Sequence, residues 1–197
     1  MDAFTERKRG LEEEYFYRKE QEQITSLRQQ SARERERQAM GQKLGVNDEQ
    51  LLQRLQKLGF TPVTVLALNL VPLVQTAWAE GRLTGNERDL LTAAAQQQGI
   101  ETNSEAGLEL LCWLSHRPTE EFFADALGAL NTILLSLPPD EQEKRRQEIL
   151  MSCRQVAEAS GGLKGFIGFG NAICKEEEKT LQSIVARLNQ PPQAETQ

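Results

Sequence analysis

Residues 63–79, VTVLALNLVPLVQTAWA, contain no charged side chain, and this run constrains the fold more than any other part of the chain. Its apolar side chains are unfavourable in water, so the segment must lie in a membrane or in a protein core. A membrane-spanning helix needs about 20 strongly apolar residues. This run is shorter, and it includes Asn69, Pro72, Gln75 and Thr76. We therefore expect a buried core helix and no integral membrane segment.

Helix start and stop signals divide the chain after residue 46 into short amphipathic segments. The start signals are Asn47 with Gln50, Thr61 before Pro62, Thr84 with Glu87, Ser104 or Asn103, and Thr119. The stop signals include Gly59, Gly81, Gly99 and Pro118. Pro72 predicts a kink in the helix that begins at Thr61. No stretch alternates between apolar and polar residues as a half-buried strand does. The sequence therefore predicts an all-α fold, a compact helical bundle.

The first 45 residues, called the arm below, differ in composition from the rest. They consist mostly of Glu, Arg, Lys and Gln, without proline, and predict one charged helix that ends at a break between Gly41 and Gly45. Apolar residues are too sparse for this helix to form a core by itself. An a/d repeat that starts at Phe4 and Leu11 is interrupted by Arg18, so we expect no stable homodimer through the arm alone.

Composition limits the classes of function. The formal net charge of −6 argues against a nucleic-acid-binding protein. Cys112, Cys153 and Cys174 form no CxxC pair, and we interpret them as reduced thiols in a cytoplasmic protein. His116 is the single histidine, so triads and histidine-rich metal sites are not expected. We expect no enzymatic activity.

Residues 77–87, AWAEGRLTGNE, carry a motif that resembles the tellurite-resistance TerB-like family, whose domains are helical bundles of two related halves. The family pattern is roughly A-x-A-D-G-x-I-x-x-x-E at a joint between two helices. The first copy matches at Ala77, Ala79, Glu80, Gly81, Leu83 and Glu87, and the second at Ala157, Ala159, Ser160, Gly161, Ile173 and Glu177. Glu80 and Ser160 stand where the family has aspartate. The resemblance covers about residues 62–188.

Family members are implicated in stress responses, and some bind divalent cations through acidic residues. The resemblance implies a calcium or magnesium site made by Glu80, Glu87, Glu158 and Glu177. A second interpretation needs no ion, because Thr84 and Glu87 have the spacing of a capping box and Glu80 can be solvated at a helix end.

The arm sequence FTERKRGLEEEYFYRKEQEQ is similar to the start of the bacterial zeta-type ATPase inhibitor subunit, with Phe4, Arg7, Leu11, Tyr15 and Glu20 in matching places. This similarity implies a rotary ATPase as a candidate partner. An amphipathic helix binds by placing one apolar face in a groove. We expect the partner-binding residues to be Phe4, Leu11, Tyr15, Phe16 and Ile24.

The sequence suggests four units: a charged helical arm at 1–45, a short connecting helix at 46–60, a TerB-like bundle at 61–188 and a disordered tail at 189–197. The glycine-rich stretch 161–171 is expected to insert Phe166, Ile167 and Phe169 into the core, and the alternative is that they form an exposed apolar patch. The acids of KEEEK at 175–179 are expected to form a solvated first turn.

The function expected is that of a non-enzymatic regulatory or interaction protein, and the alternatives are a divalent-cation sensor and an ATPase regulator acting through the N-terminal helix.

Overall fold

The computed structural model describes residues 3–160 and 174–190, and it describes their side chains except at 3–11, 13 and 160. These residues form an all-α structure in which no strand occurs. The α-helices are α1 (Ala3–Leu44), α2 (Glu49–Lys57), α3 (Val71–Ala77), α4 (Gly85–Gln97), α5 (Glu105–Ser115), α6 (Glu120–Leu135), α7 (Pro139–Ser160) and α8 (Lys175–Leu188), and a 3-10 helix, Val65–Leu70, precedes α3.

The uncharged run forms the centre of the bundle. Helix α3 packs against α6, α7 and α8, and six of its seven residues are buried. Thr76 is one of these six residues, and its hydroxyl donates to the carbonyl of Pro72 at 2.9 Å. The prediction of a buried core segment is confirmed. None of the helices described is both long and apolar enough to cross a membrane.

The prediction of one kinked helix from Thr61 is wrong. Thr61 begins an isolated turn, in which its hydroxyl accepts from the amides of Val63 and Thr64 at 3.2 Å. A 3-10 helix follows, and α3 starts only at Val71, which places Pro72 in its first turn. Proline is tolerated there because the amide that it lacks would have no partner within the helix.

Helix α2 begins one residue later than the sequence predicts, because Asp48 rather than Asn47 is the capping residue. Its carboxylate accepts from the amides of Gln50 and Leu51 at 3.0 and 3.1 Å. The other caps agree with the prediction: Thr84, Ser104 and Thr119 each accept from the amide three residues on. Helix α2 buries Leu51, Leu52 and Leu55 in the same core as the later helices and packs against α6.

Among the residues of α1 whose side chains are described, contacts with the bundle lie near the C-terminal end of the helix. From Glu14 to Arg33 every side chain is exposed except that of Ile24, which is half-buried. Farther along, the Nε of Arg37 lies 2.6 Å from a carboxylate oxygen of Glu49 on α2, and its Nη1 donates to the side chain of Gln56 at 3.3 Å. The exposed part is therefore held to the bundle through the last three turns of α1.

Gly41 allows α1 to turn closely into α2. The helix continues through Gly41 and ends at Leu44, so the break expected between Gly41 and Gly45 falls at the end of that range, at Gly45, where φ is +69°. A Cβ atom on Gly41 would lie 2.7 Å from the carbonyl oxygen of Val46 and 3.2 Å from a methyl carbon of Leu52. Only a residue without a side chain fits this junction.

We predict that Gly41→Ala destabilises the protein by about 1–3 kcal/mol, because the clash is with backbone and cannot be relieved by a side-chain rotation. Urea unfolding measures the change in the free energy of unfolding. Gly85→Ala is the matched control, since a Cβ there meets nothing within 4 Å. Equal stability of the two variants would contradict the close approach at Gly41.

Candidate functional site

Helices α4 and α8 begin in the same way, each with a buried glutamate in a capping box. At α4, the amide and hydroxyl of Thr84 both donate to Oε2 of Glu87, at 2.7 and 2.8 Å. In return the amide of Glu87 donates to the Thr84 hydroxyl at 3.3 Å. The side chain of Glu87 is only 2% exposed. A capping role for Thr84 and Glu87 is therefore confirmed.

Cys174 occupies at α8 the place that Thr84 has at α4. Its amide donates to Oε2 of Glu177 at 2.7 Å, and its Sγ accepts from the Glu177 amide at 3.3 Å. Glu177 is 1% exposed. The expectation that the acids of KEEEK are all solvated is therefore wrong for Glu177, because its capping hydrogen bond turns the carboxylate back into the protein.

Three ligand-type side chains meet between the end of α3 and the start of α8. One oxygen of Glu80, the Sγ of Cys174 and one oxygen of Glu177 all lie within 4.8 Å of one another. We call these residues the Glu–Cys cluster. Glu80 comes from the exposed turn after α3, so the cluster is open to solvent on one side. A carboxylate–thiol–carboxylate arrangement offers three protein ligands to a metal ion.

Burial and like charges act on the titratable groups here. Burial raises the pKa of Glu87, the negative charges of Glu177 and Glu80 raise it further, and the hydrogen bonds from Thr84 oppose this rise. Burial also raises the pKa of the Cys174 thiol to about 11, and a hydrogen bond with Glu80 adds to the effect. Both effects favour the protonated forms unless a cation compensates the charge.

Cys112 and Cys153 are free thiols, as Cys174 is, and they differ from each other in burial. Cys112 is exposed on α5, whereas Cys153 is fully buried on α7. Burial raises the pKa of the Cys153 thiol to about 12, against the opposing effect of a hydrogen bond with Thr76. A thiol of this kind is protonated at neutral pH and does not act as a nucleophile.

The structure brings together three of the four acids assigned to a cation site. Glu80 and Glu177 belong to the cluster, and Glu87 lies close enough for their negative charges to raise its pKa further. Glu158 is exposed on α7 and does not belong to the Glu–Cys cluster. The sequence interpretation missed Cys174, although the spacing C-x-x-E at 174–177 repeats the spacing T-x-x-E at 84–87.

The second candidate surface lies on the exposed part of α1. Of the residues assigned to partner binding, Tyr15 is 57% and Phe16 65% exposed, and their rings make an edge contact at 5.8 Å. Ile24 is half-buried. Phe4 and Leu11 belong to α1, but their side chains lie outside the described residues, as do the glycine-rich stretch 161–171 and residues 191–197 of the tail. Tyr17 and Leu27, 65% and 62% exposed, were not assigned.

No family model, no curated protein and no solved structure matches this chain. The geometry of the arm and of the Glu–Cys cluster is therefore the basis on which a function can be proposed.

We predict that Glu87→Gln flattens the dependence of stability on pH. A pKa raised in the folded state contributes stability that is present at acidic pH, below the unfolded pKa, and lost as pH rises through the folded pKa. Glutamine keeps an acceptor for the Thr84 hydrogen bonds and has no charge to bury. The variant should match the parent protein near pH 4 and exceed its stability at pH 7–8, as measured by urea unfolding at each pH.

Glu178→Gln is the matched control for this measurement, because it removes an exposed acid next to the buried Glu177. This variant should retain the pH dependence of the parent protein. If the stability of Glu87→Gln depended on pH as that of the parent protein does, ionisation of the buried Glu87 would not reduce the stability of the folded state.

Proposed function

We propose that this chain is a non-enzymatic regulatory protein that binds a protein partner through the arm. The observation that carries the proposal is the exposure of Phe16, Tyr17 and Leu27, each more than 60% accessible on a helix that projects from the bundle. The contacts of the described α1 with the bundle begin at Arg33, whose carbonyl accepts from Gln56 at 3.4 Å. Tyr17 therefore lies about 24 Å beyond the bundle, at about 1.5 Å of rise per residue.

Four apolar residues between Phe16 and Leu27 share one side of the helix, and Tyr15 does not belong to it. At about 100° per residue, Phe16, Leu27, Ile24 and Tyr17 fall within about 100° of the circumference. We call these four residues the Tyr17 face. Burial of one such side chain in a partner groove contributes about 1.5–3 kcal/mol, from which the cost of ordering the complex is subtracted.

The sequence resemblances add detail to this proposal. Similarity of the arm to the zeta-type ATPase inhibitor subunit makes a rotary ATPase the first partner to test. Similarity of the motif around Glu80 to the TerB-like family suggests a role in a stress response. A net charge of −6 favours a protein partner over nucleic acid, and we place the protein in the cytoplasm.

We predict that Phe16→Ser, Tyr17→Ser and Leu27→Ser combined weaken partner capture at least tenfold, which corresponds to about 1.4 kcal/mol. The measurements are affinity capture from cells followed by mass spectrometry, and inhibition of ATP hydrolysis by a purified rotary ATPase. Gln21→Ala, Gln29→Ala and Gln30→Ala form a matched control on the same exposed helix. Capture that is equally strong with the serine variant would contradict binding through the Tyr17 face.

A divalent-cation sensor is the second candidate function, and the Glu–Cys cluster favours it. Calcium and magnesium prefer oxygen ligands, and they are the ions that the acidic residues alone suggest. The thiol of Cys174 changes this preference, because zinc binds thiolate and carboxylate together. Binding would release the Cys174 proton and offset the repulsion between Glu80 and Glu177.

We predict that zinc stabilises the protein more than calcium or magnesium does. At a free zinc concentration one hundred times the dissociation constant, the free energy of unfolding should rise by about 2.7 kcal/mol relative to the protein without ions. Thermal unfolding of a Cys112→Ser background measures this shift without interference from the exposed thiol. Cys174→Ser retains a capping hydroxyl but removes the thiolate, and it should abolish the zinc effect. An unmoved melting temperature with all three ions would exclude the cation function.

A further inference from the structure

The Tyr15 side of the arm is distinct from the Tyr17 face. At about 100° per residue, Tyr15 lies about 160° around the helix from Tyr17. Lys19 is one turn farther along on the same side as Tyr15, and its Nζ lies 5.9 Å from the centre of the Tyr15 ring. Glu12, three residues before Tyr15, also shares this side. We call Glu12, Tyr15 and Lys19 the Tyr15 face.

The charges of the Tyr15 face are complementary to those of a second copy turned in the opposite direction. When two arms pair antiparallel with their Tyr15 rings at the centre, Glu12 of each copy lies at the height of Lys19 of the other. Both residues lie on the same side of Tyr15 around the helix, so both pairs can form. A parallel pair instead places Glu12 level with Glu12 and Lys19 level with Lys19, and it gains no opposite charges.

The arm is long enough for this pairing to occur without collision of the two bundles. Tyr15 lies 18 residues before Arg33, the first residue of the described α1 to contact the bundle. This separation corresponds to about 27 Å, so two bundles would stand about 54 Å apart. The intrachain pair of Glu14 with Arg18, at 3.5 Å, is highly exposed, so it competes only weakly with ion pairs between the two copies.

We propose that the Tyr15 face is a self-association site, through which two copies of this chain form a weak antiparallel dimer of arms. The interface is short. The order of acidic and basic residues along the helix, rather than an a/d repeat, determines that the two copies pair antiparallel. The absence of a sustained heptad still excludes a stable coiled coil. Tyr17 and Ile24 lie about 160–180° around the helix from Tyr15 and stay uncovered in such a dimer, whereas Phe16 lies at its edge. The inference goes beyond the proposed partner binding, because most of the Tyr17 face remains free for a partner.

Charge swapping on the full chain tests the proposal by sedimentation velocity over a range of concentrations. Glu12→Lys leaves only basic residues at the two paired positions, and Lys19→Glu leaves only acidic ones. Each variant alone should dimerise about tenfold more weakly, because two attractive pairs become repulsive. An equimolar mixture of the two, and the double variant Glu12→Lys with Lys19→Glu, should both recover association.

Glu20→Lys and Arg28→Glu are the matched controls, since they change the net charge equally on exposed positions outside the Tyr15 face. Both should associate like the parent protein, and added salt should weaken association of the parent. A parent chain that is monomeric at every concentration, or a mixture of the two single variants that does not associate, overturns the proposal. Capture through the Tyr17 face is tested separately by Tyr17→Ser with Leu27→Ser, since both residues lie at least about 120° around the helix from Tyr15.

Discussion

Burial of the uncharged run 63–79 is the constraint on which the bundle depends. Helix α3 has only seven residues, and a helix of that length is not stable by itself in water. It persists because α6, α7 and α8 surround it and exclude solvent from its apolar side chains. The hydroxyl of Thr76 is satisfied within α3, whereas Oε1 of Gln75 is buried there without a hydrogen-bond partner. Burial of the apolar side chains of the segment therefore outweighs the cost of one unsatisfied polar atom.

The position of α3 also determines where the acidic residues meet. The turn after α3 leads directly into α4, and α8 packs against α3, so the N-terminal ends of two helices lie near the end of a third. Each of those ends needs acceptors for its first amides, and in both a glutamate supplies one. Helix capping thus buries Glu87 and brings it close to Glu177, and burial together with this charge raises the pKa of Glu87 and favours a cation. Capping and cation binding use the same carboxylates, and a glutamine substitution separates the two because it preserves the acceptor and removes the charge.

Local signals in the sequence predict much of the fold but less of the site. The all-α class, the caps at Thr84, Ser104 and Thr119 and the helix end at Gly99 follow from side chains that act within one turn of the backbone. The misplaced start of α2 shows the limit of such signals, since Asn47 and Asp48 are both good caps and only the backbone geometry selects Asp48. The proximity of Cys174 to Glu80 depends on the packing of α8 against α3, a contact between residues far apart in sequence.

Tertiary packing explains Met40 and Leu44 at the C-terminal end of the arm, but it does not explain the exposed apolar residues between Tyr15 and Leu27. A helix that served only as a soluble extension would need no aromatic side chains, and three consecutive ones at 15–17 carry an aggregation risk. Tyr15 and Tyr17 lie on nearly opposite sides of one helix, which allows two contacts to form at once. An antiparallel pair of arms would present two Tyr17 faces with their bundles far apart, and a partner with repeated subunits could engage both. The second contact would then form at a high effective concentration, so a weak dimer could strengthen the capture of an oligomeric partner without any new contact to it.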